Sequence, residues 1–217
     1  METILGLKKS TWLKIFIGYC LLSICLLIGC MACDYWFYYT EEDPYGSKKT
    51  KGALLHQKGK TKTFKQEYDD CSGDDQDSGF CDQKIALYVS GVFYILFATA
   101  SCLCFLISGL GFWLKFTNFR SFQRIFNSMT SNVFLILGSA FHLVGFILWA
   151  KVMKVTYGNC KHDVEFTGVK AVCAEDGTKL AIATCVITWV GTILYVLLYK
   201  KLTRTSREQE DVMLETR

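Results

Sequence analysis

Apolar residues along this chain are gathered into four long blocks, 12–33, 85–114, 132–150 and 180–199, separated by polar stretches of very different length. Each block reaches or approaches the roughly 20 apolar residues that cross a hydrocarbon core of about 30 Å. The blocks carry almost none of the polar stripe that a buried helix of a water-soluble domain shows, which predicts four transmembrane helices. The second block is the longest and is expected to tilt or to emerge from the bilayer on one side. For the first block the alternative is a cleaved signal peptide, with Lys8, Lys9 and Lys14 as its charged start. Its apolar stretch exceeds the usual ~7–15 residues, and "GCMACDYWFYY" lacks a clean small-residue cleavage site, so a retained signal anchor is expected.

Four spans in one domain, 1–217, leave tails 1–11 and 200–217 and a short connector 115–131 on one side, and loops 34–84 and 151–179 on the other. The net charge of +4 says little; its distribution says more. Lys115, Arg120, Arg124, Lys200, Lys201, Arg204 and Arg207 crowd the span ends on the tail side, and every arginine of the chain lies there. Lys151 and Lys154 are a counter-signal on the other side. Lys/Arg counting alone does not settle the orientation, because the long loop has its own lysine-rich run, although charges beside the membrane count most. Cysteine placement breaks the tie in favour of cytoplasmic tails: of eleven cysteines, Cys71 and Cys81 lie in the long loop, Cys160 and Cys173 in the second, and the other seven in the apolar blocks. One pair per loop is the pattern of an oxidising compartment. The expectation is a multi-pass plasma-membrane protein with both termini cytoplasmic.

Within the long loop, "KTKTFKQEY" alternates polar with β-branched or aromatic residues and predicts an edge or hairpin strand. The acidic run "DDCSGDDQDSGFCD" has the glycine, aspartate and serine of a tight turn that a Cys71–Cys81 bridge would close. Such a crosslink removes about 2–3 kcal/mol of unfolded-state freedom. Pairing between loops stays open, since four cysteines allow about three connectivities. The carboxylates do not fit a twelve-residue calcium loop, so a solvated turn is expected rather than a metal site.

Four spans, a large first outer loop and a close cysteine pair before the second span resemble the claudin, peripheral myelin protein and calcium-channel γ-subunit superfamily. Trp36 stands just after the first block, Tyr68 three residues before Cys71, and Cys71 and Cys81 have the family's spacing. "GFILWA" with Trp149 ends the third block, and "ITWVGTILYVLLYKK" in the fourth is similar to several members. The chain departs from the pattern where "QEY" replaces Gly-Leu-Trp, where the second loop carries its own cysteine pair, and where "LETR" ends in arginine rather than a PDZ ligand. The resemblance is to a divergent member. It implies a membrane all-α four-helix bundle with a small antiparallel extracellular β-sheet, in which the disulfide joins two strands.

Two features carry candidate chemistry. Cys30 and Cys33 form C-x-x-C at the end of the first block and allow a membrane thiol–disulfide oxidoreductase. No basic residue or histidine stands nearby in sequence to activate them, so packing is the expected role. His142 lies mid-span, where an ionisable side chain is a functional-site hypothesis by default. The favoured alternative is a neutral imidazole bonded to a Ser, Thr or carbonyl of another helix. Trp12, Trp36, Phe37, Trp113 and Trp149 are expected as interface anchors. The lysines from Lys48 to Lys65 suit a solvated face or an acidic surface, not nucleic acid. Nothing in the chain resembles a nucleotide loop, a metal cage or a soluble active site. The expectation is a non-enzymatic protein without cofactor, whose partners are membrane lipids and other membrane proteins or itself, at cell junctions or as an auxiliary subunit of a channel or receptor.

Overall fold

The computed structural model describes residues 3–4, 7–43, 46–57, 59–71, 78–116, 128–155 and 172–215. In chain order the elements are β1 (Thr3–Ile4), β2 (Leu7–Lys8), α1 (Lys9–Ala32), β3 (Phe37–Asp43), β4 (Gly46–Gly52), α2 (Phe64–Cys71), α3 (Ser78–Phe116), α4 (Ser128–Val152), β5 (Cys173–Ala174) and α5 (Asp176–Glu215). Four stretches, Ser10–Ala32, Cys81–Leu114, Thr130–Val152 and Asp176–Leu198, are helices long and apolar enough to cross a membrane. Leu21, Leu96, Leu103 and Leu197 on these helices are each more than half exposed. Water penalises such surface and lipid does not, which marks a multi-pass membrane protein.

β3 pairs antiparallel with β4 over the full register from Phe37↔Gly52 to Asp43↔Gly46. The other edge of β3 takes β5, Phe37 opposite Ala174 and Tyr38 opposite Cys173. The sheet order is therefore β4-β3-β5. The register sets the acidic half of β3 against the lysine-bearing half of β4, with Glu41 opposite Lys48.

Of "KTKTFKQEY", residues 64–68 open a helix rather than the strand the alternation predicts, while Thr63 makes an isolated antiparallel bridge to His56. The Gln66 amide donates to Thr63 Oγ1 at 3.3 Å, and the Thr63 amide donates to Gln66 Oε1 at 2.9 Å. This reciprocal Thr-x-x-Gln capping box satisfies two orphan donors of the first turn and starts α2. Phe64 supplies the buried anchor of the helix. At the end of α4 the amides of Val155 and Lys154 bond back to Ala150 (3.1 Å) and Lys151 (3.3 Å). Such a Schellman ending needs one left-handed residue, and Lys154 takes it with φ of 46°.

The chain divides into two compact units, and the division falls within the long helices. In the unit of Met1–Ile24, Cys102–Ser139 and Val186–Arg217, Phe16 meets Tyr195 edge-on at 4.5 Å, and Phe112 stands 5.0 Å from the same ring. The Tyr19 hydroxyl donates to the Thr188 carbonyl, and Ser139 Oγ lies 2.8 Å from Thr192 Oγ1. These polar groups are satisfied inside the protein, as a hydrocarbon setting demands. A Cβ at Gly138 would stand 3.2 Å from the Cys104 Cβ, so the small residue permits close helix approach.

In the unit of Cys25–Ser101 and Ala140–Cys185, the core is Trp36, Phe37, Phe64, Leu87, Tyr94, Trp149 and Met153. Gly91 of α3 lies directly against the Leu54 carbonyl, with no room for a side chain. Gly91→Ala should therefore cost about 2 kcal/mol through a forced backbone shift, whereas Lys154→Gly should stabilise by up to about 1 kcal/mol by relieving the left-handed residue. Thermal midpoints of the two purified variants in one detergent check both signs.

Candidate functional site

The features that carry chemistry lie in the second of these units, around the residue that follows α1. Trp36 is fully buried. Its indole N–H donates to the Cys30 carbonyl at 2.8 Å, capping an orphan acceptor at the end of α1. Its amide donates to the Gly52 carbonyl of β4 at 2.8 Å, and its own carbonyl accepts from the Glu175 amide at 3.1 Å and the Thr178 hydroxyl. The ring meets Tyr94 of α3 at 4.5 Å and Trp149 of α4 at 4.8 Å, both edge-on. A Cβ at Gly177 would stand 2.7 Å from the indole, so glycine lets α5 begin against the ring. Trp36, Trp149 and Phe37 are thus core residues and not interface anchors: each has an apolar body closed off by helix ends and sheet. Trp113 is half exposed.

Below the indole stands a polar cluster drawn from four helices. The Tyr94 hydroxyl lies 3.1 Å from His142 Nε2, and His142 Nδ1 lies 3.4 Å from Cys185 Sγ. One ring nitrogen donates and the other accepts, so the two partners together select the tautomer. Cys30 Sγ lies 3.5 Å from the Thr184 hydroxyl. His142 is fully buried and bonds across helices, but to a tyrosine and a cysteine rather than the Ser, Thr or carbonyl expected from sequence. Cys33 points its thiol at the Tyr35 carbonyl, 3.8 Å away, and Cys30 and Cys33 are both unbridged. Among the described residues no three His, Cys, Asp or Glu groups are arranged to hold a metal ion.

A third feature ties α2 to α3. Glu67 of α2 receives the Lys60 ammonium at 3.0 Å on one carboxylate oxygen and the Lys84 ammonium of α3 at 3.0 Å on the other. Lys84 is 2% exposed, and its charge also lies 5.5 Å over the Phe64 ring. The lysine-rich stretch is in part internally paired, since Lys51 meets Glu175 at 3.2 Å and Lys62 meets Asp70 at 2.7 Å. Cys71 and Cys81 form a disulfide between the last residue of α2 and the first turns of α3, Cα–Cα 5.9 Å. It joins two helices and not two strands, because the capping box has made the preceding segment helical. Tyr68 is half-buried on α2, and Cys173 of β5 is disulfide-bonded. Cys160 lies outside the described residues.

Sequence reasoning missed Tyr94, Cys185 and the Glu67–Lys84 pair. The available signals were a lysine set immediately before an apolar block, and a tyrosine deep within that block. No family model matches the chain, and no curated protein matches it. The four apolar helices and the small antiparallel sheet are compatible with a claudin-like fold.

Burial by itself would raise the Glu67 carboxyl, but the bonds and charges of Lys60 and Lys84 outweigh it and hold it below the usual carboxylate range. As pH falls, the unfolded chain takes the proton first. The pair therefore stabilises fully above about pH 4.3, the ordinary glutamate value, and loses its contribution as pH falls through the lower folded value. Glu67→Gln leaves a buried ammonium without its counter-charge and should cost about 3 kcal/mol near neutrality. The gap in thermal midpoint between wild type and variant should then narrow on acidification below about pH 4; an equal gap at neutral and acid pH contradicts the pairing.

Proposed function

We propose that this chain is a non-enzymatic integral protein of the plasma membrane that works through protein–protein contacts, as a divergent claudin-like protein. It acts either at cell–cell contacts or as an auxiliary subunit beside a channel or receptor. The observation that carries the reading is the seat of Trp36, whose backbone bonds hold β4 and the start of α5 while its ring packs on α3 and α4. A sheet anchored in this way has little freedom left to lose on binding, which favours use of its surface for recognition. The apolar helix faces supply lateral contact with lipid or with neighbouring spans. Both termini are assigned to the cytoplasm, supported by the arginines of the tail side and by the disulfide of the long loop.

The orientation of the C-x-x-C thiols supports packing over exchange chemistry, since Cys30 is engaged by Thr184 and Cys33 by the Tyr35 carbonyl. Purification from native cells in mild detergent should retain a partner membrane protein in fixed stoichiometry, or a self-assembly stable to dilution. Cys30→Ser/Cys33→Ser should retain the same association. A chain that is solitary and monomeric in such a preparation, and after cross-linking in intact cells, overturns the proposal. Disulfide exchange that is lost in the double variant would establish the oxidoreductase in its place.

A further inference from the structure

We propose that the Cys71–Cys81 disulfide is a modification site for a small thiol, with Cys71 as the sulfur attacked and Cys81 as the thiolate released. Access is the first reason. Cys71 is half-buried and forms part of the wall of an open groove of about 670 Å³, together with Gly59, Lys60, Lys62 and Asp70. Cys81 is only 8% exposed. Thiol–disulfide exchange needs a path to the sulfur under attack, and the groove leads to Cys71, the more exposed of the two cysteines.

The polarity of the two helices gives the second reason. Cys71 closes α2, where the helix dipole presents its negative end, while Cys81 lies near the start of the 39-residue α3, at the positive end. Negative charge developing on the departing sulfur is favoured at a helix N-terminus. Access and helix polarity therefore choose the same direction. Lys60 and Lys62 are matched by Glu67 and Asp70, so the groove offers little net charge and selects for size rather than sign.

The chemistry balances without a further oxidant. The incoming thiolate forms a new S–S bond to Cys71 Sγ as the Cys71–Cys81 bond breaks. The electron pair leaves on Cys81 Sγ, which takes a proton from water. A second thiolate attacking its own kind in the mixed disulfide releases the oxidised small thiol and leaves Cys71 reduced. Opening removes the covalent tie between α2 and α3, and the Glu67–Lys84 ion pair at 3.0 Å then remains between them.

The test uses the full-length protein in mild detergent with reduced glutathione, an acid quench, capping of free thiols by N-ethylmaleimide, and peptide mass spectrometry. Glutathione on Cys71 with maleimide on Cys81 should exceed the reverse pattern at least about tenfold. Neutral 2-mercaptoethanol should give the same preference, since it arises from access and leaving group rather than from probe charge. An even distribution, the reverse preference with either thiol, or no adduct while tryptophan emission still reports the folded chain overturns the proposal.

Discussion

The indole of Trp36 closes the junction on which the described loop structure depends. It spends its N–H on the end of α1, and its backbone holds β4 on one side and the approach to α5 on the other. Its faces and edges are filled by Tyr94 and Trp149. A side chain of this size in a closed seat contributes several kcal/mol, since emptying such a site costs about 3–5 kcal/mol. The geometry also explains two small residues: Gly177 makes room for the ring, and Gly52 lets β4 end its pairing against the Phe37 ring.

Hydrocarbon surroundings impose a second constraint, that polar groups within the helices find partners in the protein. Several do so through short local solutions, while Ser131 Oγ and Trp189 Nε1 are buried without a hydrogen-bond partner. In one unit Tyr19, Ser139, Thr188 and Thr192 share hydroxyl and carbonyl bonds. In the other, Tyr94, His142 and Cys185 form a chain across three helices. At the mouth of α3 the charge of Lys84 is answered by Glu67 and by the Phe64 ring. The pair and the Cys71–Cys81 disulfide hold the same two helices, one by charge and one by covalent bond.

Under the proposed contact role these ties have a common consequence. The loop elements are fastened to helix ends rather than suspended from them, so a partner meets a surface whose conformation is already set. The lysines expected on a solvated face or against an acidic surface are partly spent on this fastening, at Glu67, Asp70 and Glu175. What remains for recognition is shape and backbone as much as charge.

Sequence by itself determined the four spans, because length and uniform apolarity are properties of a contiguous segment and need no knowledge of neighbours. It also put Cys71 within reach of Cys81 across a turn-forming run but left pairing between the loops open, and the structure chose the local bridge. Alternation misjudged residues 64–68, because a capping box is a matter of two specific hydrogen bonds and period alone does not register them. Aromatic residues at span ends read equally well as bilayer anchors or as core. Only tertiary structure decided that Trp36 and Trp149 turn inward, that Tyr94 and Cys185 share His142, and that Glu67 answers Lys84. Each of these depends on residues far apart in the chain meeting at one point, and burial there is a property of the assembled helices, not of any one segment.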